Sequence, residues 1–150
     1  MLTIAEWVTS LQMQAARTRG HELTLEVEHT LGHLAKNAQD MIGRENSGWQ
    51  ELAQSTIEEK QRLGFTGQRS ATDPLLRTGV LESSISAGAN RRGLTVEGVI
   101  GSDDEVAIYQ EMGTSRIPPR PFLGAALIEG QQVIEESMGQ FMVRILMNRE

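Results

Sequence analysis

The chain is 150 residues long, carries a net charge of −6 at neutral pH and contains no cysteine. Its length suits one domain, residues 1–150, with a buried core. The lack of thiols excludes disulfides and thiolate metal sites, and the acidic balance argues against wrapping duplex DNA as a main function. With three Phe, two Trp and one Tyr, the core must rest on Leu, Ile, Val, Met and Ala. No stretch approaches the roughly 20 apolar residues that span a bilayer, so no membrane partner is expected. Met1–Trp7 has no basic n-region, so no signal peptide is expected either.

Charge is unevenly spread. Residues 1–59 hold 4 basic and 9 acidic side chains, residues 60–100 hold 6 and 3, and residues 101–150 hold 4 and 8. Acidic ends flank a basic middle. Solvated faces explain that arrangement, and it also lets one copy of the chain attract another.

Ile4, Val8, Leu11 and Ala15 recur at helical spacing, and a second stripe runs through Val27, Leu31, Leu34, Ala38 and Met41/Ile42. The stripes are out of phase with Gly20 between them. They predict two helices, or one long helix broken near Gly20, ending around Gly43, so that residues 1–48 form a helical N-terminal part. Asn46-Ser47-Gly48 is a turn. Ser55-Thr56-Ile57-Glu58 fits a capping box, and the helix it opens should stop at Gly64. Residues 65–79 are rich in Gly, Thr, Ser and Arg and predict a long surface loop, mobile in an isolated subunit.

Ser83–Ala87 and Leu94–Ile100 read as short strands joined by a turn over Ala89–Gly93. Leu94, Val96, Gly98 and Ile100 should share one face. Val106–Met112 reads equally as a third strand or a short helix. From about Phe122 to Met147 the apolar spacing is helical, with Gly130 and Gly139 each weakening the helix by roughly 1 kcal/mol relative to Ala. The expected fold class is α+β, with long N- and C-terminal helices packed on a small antiparallel β-sheet.

The segment Gly113–Leu123 stands out, because three of the four prolines fall at 118, 119 and 121. Proline fixes φ near −65° and keeps the preceding residue extended. A stiff, polyproline-like arm without internal hydrogen bonds is expected over 113–121, presenting Arg116, Arg120 and Phe122 at little entropic cost to a partner. The alternative is a rigid loop that only aims the last helix.

Catalytic patterns are sparse. Glu26, His29 and His33 share a helical face but lack the further ligands a metal needs, and an exposed polar face explains them better. There is no Gly-x-Ser-x-Gly elbow with a histidine base. Asp103, Asp104, Glu105 and Glu111 form an acidic cluster best read as a solvated turn. Gly113-Thr114-Ser115 lacks the lysine and spacing of a phosphate loop. No enzyme activity, metal or cofactor is expected. The basic middle (Lys60, Arg62, Arg69, Arg77, Arg91, Arg92) offers a second reading, a nucleic-acid-binding or assembly module acting through residues 60–92, although Phe65 is its one aromatic stacking partner.

Three segments, in order, resemble a family of small phage proteins. Trp49–Lys60 resembles its "W…LA..T…K" helix. Asp73–Ile85 resembles its "P-L-x-x-T-G-x-L-x-x-S-I" run. Ile108–Thr114 followed by Ile117–Leu123 resembles its "Y…E-x-G-T…P-x-R-P-F-L" signature, with Met112 where members often carry Phe. The family is the head–tail joining and tail-completion group of long-tailed bacteriophages and prophages, also called phage virion morphogenesis or minor tail proteins. The similarity covers roughly residues 49–127.

The resemblance implies a virion structural protein of the neck or tail, assembled in the host cytoplasm. It would form a ring oligomer, of six or twelve copies, at the head–tail connector. Its partners would be sister copies and neighbouring neck, tail-terminator or tail-tube proteins, with genomic DNA merely passing through the lumen. On that view the arm docks onto a neighbour through Ile117, Pro119 and the anchor Phe122, while Arg116 and Arg120 pair with Glu111 or Asp103. Arg62, Arg69 and Arg77 would lie near the lumen. Phe122→Ala is then expected to abolish joining yet leave a folded monomer.

Overall fold

The structure is a computed structural model that describes residues 4–44, 48–65, 71–93 and 95–147, with side chains from residue 19 onward. Its elements in chain order are α1 (Ile4–Met41), α2 (Gln54–Arg62), α3 (Val80–Ser84), β1 (Ile85–Arg92), β2 (Thr95–Ser102), α4 (Glu105–Met112) and α5 (Leu123–Met147). The class is α+β, with long helices near both ends and a two-stranded antiparallel sheet.

α1 is one uninterrupted helix of 38 residues. Gly20 does not break it; the Arg91 guanidinium of the hairpin lies over Gly20, where a Cβ would otherwise stand. Close packing explains that glycine, not a break. The first stripe, Ile4 to Ala15, lies on described backbone whose side chains are outside the described residues.

The hairpin pairs from Ile85↔Ser102 to Arg92↔Thr95, so only positions 93 and 94 connect the strands. Gly93 has φ 63°, the left-handed conformation that a tight two-residue turn demands. The expected turn over 89–93 is therefore too wide, and Ser83-Ser84 belong to α3. Leu94 lies outside the described residues, but Val96, Gly98 and Ile100 do share the inner face. A Cβ on Gly98 would run into Leu31 and Val27 of α1, so glycine lets the helix lie close to the strands. A two-stranded sheet is marginal alone; α1 supplies its cover.

Val106–Met112 resolves as helix α4, with Asp104 as its N-cap: Asp104 Oδ1 accepts the Val106 N–H at 2.9 Å. The expected Ser55 cap is not formed. The N-cap lies two residues earlier, at the extended Ala53, without a side-chain cap, and Glu58 instead accepts from Gln54 Nε2. The C-terminal expectation holds. Gly64 (φ 72°) donates to Gln61 O, and Phe65 donates to Lys60 O, the paired bonds of a Schellman closure.

The loop after α2 is less free than its composition suggests. Residues 66–70 lie outside the described part, but Ala71 and Pro74 are buried. Lys60 Nζ donates to the Asp73 carbonyl at 2.8 Å, and Gly43 N–H donates to Pro74 O at 2.9 Å. Burial pushes the Lys60 ammonium below its ordinary value, partly offset by nearby Asp73.

The core gathers Ala35, Ala38, Ile42, Leu81, Ile85, Ala107, Phe122 and Ala126 around the C-terminal end of α1. α5 packs along a neighbouring face of α1. Gly130, buried, sits directly against the fully buried Leu34. Further along, the Ser137 hydroxyl donates to Glu26 Oε1 at 2.7 Å and lies 2.8 Å from Thr30 Oγ1, while Arg144 Nη2 donates to Glu26 Oε2 at 3.0 Å. Among the described residues this polar set holds the far end of the helix pair.

The two glycines of α5 should respond in opposite ways. A methyl on Gly130 would drive into Leu34, which has no solvent to swing into, so Gly130→Ala should lose about 1–2 kcal/mol in urea unfolding. A Cβ on Gly139 would meet nothing within 4 Å, so Gly139→Ala should gain up to about 1 kcal/mol.

The helix pair should also respond to acid. The Ser137 hydrogen bond, opposed by desolvation and helped by Arg144, holds the Glu26 carboxyl below its ordinary 4.5. Stability from a depressed carboxyl is present above that ordinary value and lost as pH falls through the folded one. Melting temperatures taken from about pH 6 to about pH 3 should fall less steeply for Glu26→Gln than for the wild type. Parallel curves would remove Glu26 from the account.

Candidate functional site

The three resembling segments meet where α4, the proline-rich segment and the start of α5 come together. Gly113 ends α4 at φ 73°, and a Cβ there would lie 2.8 Å from Pro119 N and 3.0 Å from Ile117 O. Only glycine satisfies both the backbone conformation and the close return of the chain. Thr114 N–H donates to Ile117 O at 2.8 Å, while Thr114 Oγ1 accepts from the Arg116 and Ile117 N–H groups at 3.2 and 3.1 Å. The tip is thus a hydrogen-bonded turn. The expected extended, projecting arm is corrected: the segment doubles back on its own subunit, because a threonine hydroxyl and a left-handed glycine close it before the prolines begin.

The prolines then carry the chain inward. Arg120 N–H donates to Gln110 O at 2.7 Å. Its side chain is buried, and Nη2 donates to the carbonyls of Gln50 (2.9 Å) and, more weakly, Glu51 (3.5 Å). Burial lowers the Arg120 pKa from its ordinary value. Arg120 therefore pins the segment to the Trp49–Lys60 region instead of pairing with Glu111 or Asp103. Phe122 is 0% exposed and the largest fully buried side chain. It is not an outward anchor but the centre of the subunit's own core.

Glu111 is committed as well. Its carboxylate accepts three backbone N–H groups at the start of α5: Phe122 (2.9 Å) and Leu123 (3.1 Å) on Oε2, Gly124 (2.7 Å) on Oε1. The first N–H groups of a helix have no partner within it, and the helix dipole favours a negative charge there. Gly124 leaves room for this contact, since a Cβ would stand 2.9 Å from Oε1. No local signal could have revealed this cap, which comes from eleven to thirteen residues upstream.

What remains outward is smaller. Arg116 and Pro119 are exposed and Ile117 is half-buried. Arg116 joins no ion pair among the described residues. A groove of about 580 Å³ runs beside this tip, lined by residues of all three resembling segments, among them Glu51, Lys60, Leu76, Arg77, Gln110 and Ile117. Its charges are mixed, so it has no bias toward an anion. Leu75, another lining residue, holds φ 63°, a conformation that costs a non-glycine residue about 1 kcal/mol and that its packing on the core sustains.

The residues expected near a DNA lumen are scattered in role. Arg62 is exposed at the end of α2. Arg77 pairs with Glu59 at 3.0 Å and lies 4.8 Å over the Phe65 ring. Arg69 lies outside the described residues. His29 and His33 contact each other, Nε2 to Nε2 at 3.3 Å, while Glu26 turns to Ser137 and Arg144. Among the described residues no three His, Cys, Asp or Glu side chains gather in a way that could hold a metal. No helix of the described residues is long and apolar enough to cross a membrane. No protein family, curated protein or solved structure matches the chain.

Phe122→Ala should now cost the subunit itself about 3–5 kcal/mol, and Glu111→Ala about 1–3 kcal/mol through three uncapped N–H groups. Urea unfolding of the isolated chain measures both. A Phe122→Ala subunit as stable as the wild type would contradict this packing.

Proposed function

We infer that the protein is a structural component of a phage neck or tail, a subunit of a ring at the head–tail junction that completes the tail and allows joining. The three motif-like segments, in order over residues 49–127, supply the family direction. The observation that carries the reading is the outward face of α4, inside the third segment. Ile108, Tyr109 and Met112 lie there at helical spacing, 61%, 48% and 74% exposed. A short helix that turns an isoleucine, a tyrosine and a methionine to solvent has the composition of a protein–protein contact. A non-catalytic role is consistent with the carboxylates and arginines described above, which serve as caps and pins.

The nucleic-acid reading is weaker for a specific reason. Lys60 is buried on a carbonyl, Arg77 is paired, and Arg91 lies over Gly20 and donates to Gly93 O. Much of the basic middle is therefore spent within the subunit. Gel shift at low salt should show little or no affinity of the isolated chain for free DNA. An electron-microscopy map of assembled particles should place several copies around the channel between head and tail. Purified particles that lack the chain would defeat the reading and favour an assembly factor.

A further inference from the structure

The groove beside the proline-rich turn has four acidic and four basic side chains in its lining, so it is neutral as a whole. Depth sorts those charges. Its two buried ones, Lys60 and Arg120, are each 5% exposed, and both are cations. Among the acids, Glu59 is engaged by Arg77, and Asp104 by the Val106 N–H. Glu51 keeps its carboxylate exposed and outside any ion pair among the described residues.

The two buried cations are not equally served. Lys60 has Asp73 beside it, which offsets part of the cost of burying its charge. Burial alone acts on Arg120, whose Nη2 meets neutral carbonyls. A buried cation without a counter-charge is costly. Arg120 Nε is also buried without an acceptor, and Gln110 Oε1 is buried without a donor. Both residues line the groove, and the Arg120 N–H bond to Gln110 O sets them side by side. A donor and an acceptor left over together in one cleft mark a missing group.

The chemistry of that group can be read from what surrounds it. A guanidinium N–H without a counter-charge calls for a carboxylate, and the Gln110 oxygen calls for an N–H. Leu52, Leu75, Leu76, Val80 and Ile117 give the groove apolar walls that a bare anion would leave uncovered. An acidic residue within a protein segment supplies all three: carboxylate, backbone N–H and apolar neighbours. The groove volume of about 580 Å³ lies within the roughly 300–1,000 Å³ of ligand clefts. We propose that this groove docks an acidic segment of a partner protein, with a Glu or Asp carboxylate on Arg120 Nε and a backbone N–H of the segment on Gln110 Oε1. The inference goes beyond the ring reading and does not depend on it.

The probe is the blocked peptide acetyl-Ala-Glu-Leu-amide, titrated into the full chain by calorimetry. It should bind with a dissociation constant of about 1 mM or below. Acetyl-Ala-Gln-Leu-amide and sodium acetate should each bind at least about tenfold more weakly. Arg120→Met removes the charge but also the pin on Gln50, so Gln110→Met accompanies it. That second variant deletes a buried acceptor that has no donor, so its melting temperature should stay level or rise. Its affinity for the peptide should nevertheless fall at least about fivefold. No binding by about 5 mM peptide, equal binding of the two peptides, acetate as tight as the glutamate peptide, or full affinity in Gln110→Met each overturns the proposal. Ordered water would then complete Arg120 and Gln110. None of these outcomes bears on copy number in particles, by which the ring reading is judged.

Discussion

The contact on which most of this subunit depends is the Glu111 carboxylate at the start of α5. It satisfies three N–H groups that the helix itself cannot pair. In doing so it sets where α5 begins and therefore which way Phe122 points. With Phe122 inserted beneath α1, Ala126 and Gly130 fall against that helix, and the rest of α5 follows its axis. One side chain thus couples α4, the proline-rich segment and the last helix. The same placement leaves the opposite face of α4 to solvent, so the cap and the exposed apolar strip are two consequences of one geometry.

Proline stiffness and projection are separable. Three prolines limit the conformations of residues 118–121, but stiffness says nothing about direction. Here Gly113 and Thr114 reverse the chain first, and the prolines return it to the body, where Arg120 is held by the carbonyls of Gln50 and Glu51. A buried guanidinium on neutral carbonyls is costly to desolvate. Its value lies in tying together stretches of chain some seventy residues apart. What stays at the surface shrinks to the turn around the exposed Arg116 and the half-buried Ile117.

The helix pair divides its work in a similar way. At one end Gly130 lets Leu34 approach to full burial, so apolar packing dominates. At the other, Glu26, Thr30, Ser137 and Arg144 form a polar clasp whose strength depends on an ionised carboxylate. Packing tolerates acid and the clasp does not, so acid should loosen the clasp before the packed end.

Local patterns were legible in the amino-acid sequence because they depend on near neighbours. Apolar spacing marked α1 and α5, Gly64 marked the end of α2, and glycine with alternating residues marked the hairpin. What failed locally failed through distant partners. Gly20 read as a break because Arg91 could not be seen above it. Ser55 read as a cap although the extended Ala53 starts the helix earlier. Phe122 and Arg120 read as outward because stiffness was visible and the pocket receiving them was not. The sequence by itself therefore determined the long helices, the hairpin, the fold class and the rigidity of the proline segment, and left α3 and α4 open. Tertiary structure alone decided direction: which carboxylate caps α5, which aromatic fills the core, and which apolar residues are left facing water. Those choices follow from contacts between residues far apart in the chain, and no local spacing encodes them.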